Sequence, residues 1–398
     1  MKMFSRQSLS RKLILMLRKS RAFFTRKLYK SEGGGGWFVE LPDDVIQQIL
    51  QQLPLSDYLN CRNVCPCWRA AIDSKRWLPA AHHEFPWLVT SSMLGRDMLA
   101  SYIETDDDEN LRIVSNRKIC NLKGMYYCAG SIEGWLIITQ RRTYDEYRFF
   151  FCNPVSGARV KLPLICDTFL FPMVKMVASS VPKTTKCYVT CLHLKDIGCL
   201  AFCTPSDRSW TLIEPGEALT FRDIEILDGK LYAVGRRELE FVMVFDIHLH
   251  THAYSSKILV TLQPDVSNIV TASYLAKCCE SKDLFMIYHN EGSKKLFQVL
   301  KLEYNNVTTS PQWVEIADLG DRALFIDTHN SKSITCYDKA LERNCIYFVL
   351  SQVNLDRDEF TAGVFSLTDK SFKPITFPGH LPRYKFMNQS TWFTPNPC

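Results

Sequence analysis

Several signatures are missing from this chain of 398 residues. No apolar run is long enough to cross a bilayer, which takes about 20 residues of helix; the longest near the N-terminus is Leu13 to Leu17. There is no Walker loop, GxGxxG, GxSxG or HExxH, and Gly33 to Gly36 lack the Lys and Ser/Thr that would cradle a phosphate. The acidic run Asp106-Asp107-Asp108-Glu109 lacks the spacing and glycine of an EF-hand and reads as a solvated loop. Sixteen cysteines occur without one CxxC pair, and Cys65-Pro66-Cys67 and Cys278-Cys279 are too tight for zinc-finger spacing. Many, including Cys187, Cys199, Cys203 and Cys345, sit in apolar runs, so the expectation is free thiols in a reducing compartment, with no secretory leader. These absences argue for a chain that is not an enzyme and has no metal or cofactor.

Acidic residues are scarce at the front of the chain. Residues 1–36 hold ten Lys or Arg against one acid, Glu32, a local charge of +9 within a net +6. The rest of the chain therefore carries −3, which does not suit a nucleic-acid-binding surface. Between Ser5 and Lys30, Leu9, Leu13 and Leu17 share one helical face. Three readings stay open: an organellar transit peptide, a basic amphipathic helix on a membrane surface or acidic partner, and a solvated tail. The first implies mitochondrion or chloroplast; otherwise cytoplasm or nucleus is expected. Gly33 to Gly36 read as a hinge.

Residues 37–78 carry most of the information. Pro42 suits the first turn of a helix, and Asp43 and Asp44 complement its positive end. Val45, Ile46, Ile49, Leu50 and Leu53 recur at helical spacing as one apolar stripe, which Pro54 ends. Ser56 is a cap for a second helix bearing Tyr58, Leu59, Cys61, Val64 and Cys65. Pro66 opens a third, with Trp68, Ala71 and Ile72. Three helices in about 40 residues are near the limit below which a chain rarely folds without staples or a partner. A small helical unit with apolar faces to spare implies a protein that covers them.

This segment resembles the F-box. The likeness lies in Leu41-Pro42, the Ile/Leu spacing that follows, Asp57-Tyr58-Leu59, Val64-Cys65 and Trp68-Arg69. The resemblance implies docking onto the Skp-type adaptor of a cullin–RING ubiquitin ligase. The implied contact residues are Leu41, Pro42, Ile46, Ile49, Leu53, Leu59, Val64, Cys65 and Trp68, some of which pack the F-box's own core instead.

Beyond residue 86 the pattern changes to short apolar runs bounded by turn residues, the mark of β structure. Trp135 to Ile138 and Phe149 to Phe151 are such runs. Asn153-Pro154-Val155-Ser156-Gly157 and Thr204-Pro205-Ser206-Asp207 read as tight turns, the second without the glycine of the first. Asp228-Gly229 is a hairpin signal ahead of Leu231 to Val234. Comparable strands begin at Trp135, Tyr188, Leu231, Leu284 and Ile346, a recurrence on the scale of propeller blades of about 40–50 residues with insertions. A sixth unit is expected to join residues 86–125 to Ser390-Thr391-Trp392-Phe393.

Several phrases resemble a plant family of F-box proteins with a C-terminal propeller, the KIB type. They are Phe85-Pro86-Trp87-Leu88, Asn153-Pro154 with Ser156-Gly157, and Asp228-Gly229-Lys230-Leu231-Tyr232-Ala233-Val234. Leu319-Gly320-Asp321 with Ala323-Leu324-Phe325, and Asn344-Cys345-Ile346-Tyr347-Phe348, complete the set. The expected architecture is mainly β with a small all-α N-terminal domain. It comprises a basic tail (1–36), a three-helix F-box (37–78) and a propeller of about six or seven blades (86–398). Strand spacing alone also admits a pair of β-sandwiches. The expected function is substrate recognition in an SCF-type ubiquitin ligase, the propeller holding an unnamed target protein. The alternatives are an organelle-delivered propeller with a vestigial F-box and a propeller enzyme with a channel metal. On a strand, His248, His250 and His252 would share a face as metal ligands; near a turn they would be a polar face.

Overall fold

The structure is a computed structural model. It describes residues 43–52, 58, 61, 66–73, 86–91, 98–105, 111–119, 125–141, 147–164, 174–184, 186–193, 199–214, 219–236, 240–261, 272–278, 280–290, 296–304, 310–336, 341–354, 357–376 and 390–395. The chain divides into two compact units, Met1–Glu84 with Pro397, and Phe85–Asn396 with Cys398.

In the first unit, α1 spans Asp43–Gln52 and α2 spans Pro66–Asp73. The stripe read from sequence orders α1: Ile46 and Leu50, one turn apart, are buried, Ile49 is half-buried, and Gln48 and Gln51 face water. On α2, Trp68 and Ile72 repeat the four-residue spacing and are buried, whereas Arg69 and Ala70 are exposed. Between the helices, Tyr58 and Cys61 are helical and buried, and the Tyr58 hydroxyl donates to the Ile72 carbonyl at 3.5 Å. The rest of the expected middle helix lies outside the described residues.

The second unit is built of strands. It begins with β1 (Trp87–Ser91), β2 (Met98–Thr105) and β3 (Leu111–Ile119). Three four-stranded antiparallel sheets follow. The first is β4 (Met125–Ile132), β5 (Trp135–Arg141), β6 (Tyr147–Cys152) and β7 (Arg159–Lys161). The second is β8 (Val174–Ala178), β9 (Val189–His193), β10 (Leu200–Cys203) and β11 (Thr211–Ile213). The third is β12 (Thr220–Leu227), β13 (Lys230–Arg236), β14 (Glu240–His248) and β15 (Ala253–Thr261). A fourth antiparallel set is β16 (Ala272–Cys278), β17 (Asp283–His289), β18 (Phe297–Tyr304) and β19 (Pro311–Ile316). A fifth comprises β20 (Arg322–Asp327), β21 (Lys332–Thr335), β22 (Cys345–Asn354), β23 (Arg357–Ser366) and β24 (Phe372–Thr376), with β20 parallel to β22 because the β21 hairpin reverses the chain between them. The last strand, β25 (Ser390–Phe393), pairs antiparallel with β1 from the start of the unit, Trp87 opposite Phe393, as read from the sequence.

The strands join into a thirteen-stranded sheet, but the seams are thin: one residue pair links β16 to β21 and two link β24 to β3. The leading strands β4, β8, β12, β16, β20 and β25 are neighbours in that order, and β25 returns to lie beside β4, so the path closes. Separate apolar cores fill the space between successive sheets. Trp135, Phe151, Met176 and Val189 bridge the first pair; Phe202, Ile224 and Phe245 the next; Tyr232, Val244, Met286 and Tyr288 the next. The leading strands approach closely: a Cβ on Gly130 would stand 2.0 Å from the Met176 carbonyl oxygen, so β4 passes β8 only with glycine there.

The turns explain the register. Asp228 and Gly229 have φ of 50° and 75°, the paired positive values of a type I′ hairpin. The Asn153 side chain accepts the amides of Val155 and Ser156 at 3.0 and 2.8 Å. At Thr204 to Asp207, which lacks glycine, the Asp207 carboxylate takes the Thr204 amide at 2.8 Å and its hydroxyl at 2.7 Å, so a side chain closes the turn.

Candidate functional site

Of the nine residues read as partner contacts, Ile46, Ile49 and Trp68 lie among those described. Ile46 and Trp68 are 4% and 1% exposed, so in the free chain they face inward, while half-buried Ile49 presents part of its side chain. Leu41, Pro42, Leu53, Leu59, Val64 and Cys65 lie outside the described residues. No helix among the described residues is long and apolar enough to cross a membrane.

The closed path of leading strands holds a buried polar cluster that sequence reading missed. Lys175 on β8 is fully buried and donates to Asp223 on β12 at 2.5 Å. The other oxygen of Asp223 accepts the Leu275 amide of β16 at 2.6 Å. Asp327 on β20 repeats the device: one oxygen accepts the amides of His329 and Asn330 at 2.6 and 2.7 Å, and the other takes the Trp392 amide of β25 at 2.6 Å. The Asn330 side chain then donates to the Trp392 carbonyl at 2.7 Å and the Ser131 hydroxyl of β4 at 2.6 Å. The leading strands are thus laced in two sets of three, β8 with β12 and β16, and β20 with β25 and β4, by side chains that a plain apolar strand would not carry.

The electrostatics fit a structural role. Burial raises the Asp223 carboxyl from its ordinary value, while Lys175 and two backbone amides pull it down. Burial pushes Asp327 up to about 7 against three amide bonds, and burial lowers His329 to about 4, so that imidazole is neutral. Asp327 spends its lone pairs on backbone amides, and Asp223 divides its own between Lys175 and the amides of Ile224 and Leu275. The described cysteines are free thiols, and burial pushes Cys187 up to about 11 and Cys345 to about 12.

The three histidines do not share a strand face. His248 ends β14, Leu249 to His252 form the turn, and β15 begins at Ala253. The Thr251 amide donates to the His248 carbonyl, and His252 has φ of 50°, so alternation fails there. All three are exposed, and among the described residues no three His, Cys, Asp or Glu gather as metal ligands. The acidic run 106–109 lies outside the described residues.

The family model described as KIB1-4 beta-propeller matches residues 109–366, about two thirds of the chain. The chain belongs to the KIB1-4 beta-propeller family. The F-box domain model matches residues 38–78, so this member is an F-box protein with a propeller, of the kind found in plants. Among its relatives, F-box protein At3g56470 of Arabidopsis thaliana is 30% identical over 38% of this chain and 36% of its own length. F-box protein At2g17036, also of Arabidopsis thaliana, is 23% identical over 75% of this chain and 79% of its own. The match thus spans little more than a third of the first relative. Among solved structures, TolB from Acinetobacter baumannii has a TM-score of 0.40 at 9% identity, over 78% of this chain and 68% of that one; a likeness this slight decides nothing.

Proposed function

We propose that this chain is the substrate-recognition subunit of an SCF-type cullin–RING ubiquitin ligase. Its F-box docks on the Skp-type adaptor and its propeller holds a target protein. The observation that carries the reading is an F-box match at residues 38–78 ahead of a propeller match at 109–366. A helical unit of this size has few residues with which to cover its own apolar faces, which suits a partner-completed interface. The chain contributes proximity: holding a target near the loaded ubiquitin carrier raises the effective concentration of its lysines, and the bond-making belongs to other subunits.

Burial divides only the three described contact residues, and the proposal assigns the other six to the outward surface as the F-box match implies. Ile46 and Trp68 brace the helices against each other, while Ile49, together with Leu41, Pro42, Leu53, Leu59, Val64 and Cys65, supplies the adaptor-facing surface. We count the propeller as six blades, one for each leading strand, with β25 and β1 to β3 forming the blade that joins the chain ends. The proposed location is cytoplasm or nucleus, where ligase and target would meet; fusing residues 1–36 to a fluorescent protein distinguishes this from organelle import.

The test is co-purification of the full chain with a Skp-type adaptor. Leu41→Asp combined with Ile49→Asp is expected to abolish capture while the thermal unfolding of the propeller is unchanged. Undiminished capture refutes the docking assignment.

A further inference from the structure

An exposed sheet edge offers unpaired N–H and C=O groups to any passing strand, and proteins blunt such edges with shortness, proline or charge. Five of the six outer strands here are blunted. β7 and β11 have three residues each. β19 opens with Pro311, and β24 carries Lys373 and Pro374. β3 contains Arg112, Arg117 and Lys118 and pairs with β24 at two positions. β15 differs: it has nine residues, no proline and one charge, Lys257.

The outer edge of β15 pairs with no strand among the described residues. Ala253 to Ile258 run in unbroken register with His248 to Met243, and only then does a bulge interrupt. Ser255, Ser256, Lys257 and Ile258 are all exposed, Ile258 by 58%. Lys257 has no carboxylate partner among the described residues. The strand's start is fixed in place, because the Tyr254 hydroxyl bonds the Glu214 carbonyl and amide, both at 2.9 Å. A fixed, nearly uncharged edge in unbroken register costs a docking strand little reorganisation.

We propose that the outer edge of β15 binds an extended segment of the target polypeptide as an added strand. The proposal rests on the substrate-recognition reading and names the surface it uses. Backbone pairing along Ala253 to Ile258 supplies affinity, and alternate side chains supply choice. Alternation puts Tyr254, Ser256 and Ile258 on one face and Ser255 and Lys257 on the other. The segment it selects is therefore short and β-branched, with an aliphatic side chain beside Ile258 and a carboxylate beside Lys257, the strand's one charge.

The probe is a fluorescein-labelled peptide, Gly-Thr-Val-Glu-Val-Thr-Val-Gly, titrated by anisotropy against the full chain bound to its adaptor. The expected result is saturable binding, weakened at least about tenfold by Ile258→Lys or Lys257→Glu, since blunting an edge is how proteins refuse a strand. Both substitutions are at exposed side chains, and an unchanged melting temperature confirms the fold. The same peptide N-methylated at alternate amides is expected not to bind. No binding of the plain peptide, equal binding of the methylated one, or indifference to both substitutions overturns the proposal. Adaptor capture is read in the same samples. Its loss in the unsubstituted chain sinks the ligase reading, whereas its persistence alongside peptide failure sinks the β15 proposal alone.

Discussion

Replacing Asp327 by Ala should loosen the closure of the ring more than its small volume suggests. The carboxylate accepts three amides, those of His329, Asn330 and Trp392, at 2.6 to 2.7 Å inside a fully buried site. The Trp392 bond joins β20 to β25, the strand that brings the two ends of the unit together. Orphaning a buried donor costs about 1–3 kcal/mol, so three non-additive losses sum to about 3–6 kcal/mol. For a unit as large as Phe85–Asn396, each kcal/mol lowers Tm by about 1.5 °C. A fall of about 5–9 °C in a thermal melt of the full chain is therefore expected. Asp327→Asn keeps one acceptor oxygen and should fall roughly half as far. If Asp327→Ala melts within about 1 °C of the parent, the amides have other partners and the closing role of Asp327 is wrong.

Other substitutions probe the rest of the lacing. Lys175→Met leaves Asp223 buried without its cation and should cost about 3–5 kcal/mol, seen as a lower urea midpoint. Gly130→Ala puts a methyl 2.0 Å from the Met176 carbonyl and should reduce soluble yield and Tm, whereas Gly157→Ala, with nothing within 4 Å but φ of 73°, should cost only about 1 kcal/mol. The pH dependence has two opposing parts. Asp327, raised from 3.8 to about 7, contributes stability that is full below 3.8 and lost as pH rises through 7; His329, lowered from 6.5 to about 4, contributes stability present above 6.5 and lost as pH falls through 4. Between pH 4 and 6.5 the two slopes oppose, so the parent's stability should change little. Asp327→Asn should lose stability on acidification and His329→Gln should gain it, and denaturant midpoints at pH 4.5, 5.5 and 6.5 check both signs. Iodoacetamide mapping should label exposed Cys199 in the native chain but spare buried Cys191 and Cys203 until denaturation.

The sequence announced the second strand of each unit better than the first. Trp135, Leu231, Leu284 and Ile346 begin or lie one residue into β5, β13, β17 and β22, and Tyr188 directly precedes β9. These strands carry continuous apolar runs at their centres because sheets pack on both their faces, so composition betrays them. The leading strands carry Lys175, Asp223, Glu225, Ser131 and Asp327 where they meet near the ring's axis. Those polar side chains break the apolar run that strand reading looks for. Asp223 and Asp327 were also silent because each lacing partner is 48 or more residues away along the chain, or is a backbone amide that no side-chain pattern reveals. The His248 to His252 run misled in the opposite direction: a period of two was legible, but the turn that cancels it depends on backbone geometry. In the F-box, the stripe was legible as a stripe. The division between its interior (Ile46, Trp68) and its outward part (Ile49) depends on packing between helices.

The central claim is that the helical unit serves an adaptor and the β ring serves a target. The most direct measurement is the stoichiometry of the full chain mixed with purified Skp-type adaptor, read by light scattering behind size exclusion. The account predicts a one-to-one complex that Leu41→Asp with Ile49→Asp dissociates, the propeller's melting temperature unchanged. Two separate peaks with the unsubstituted chain, or a complex that survives the double substitution, would contradict it.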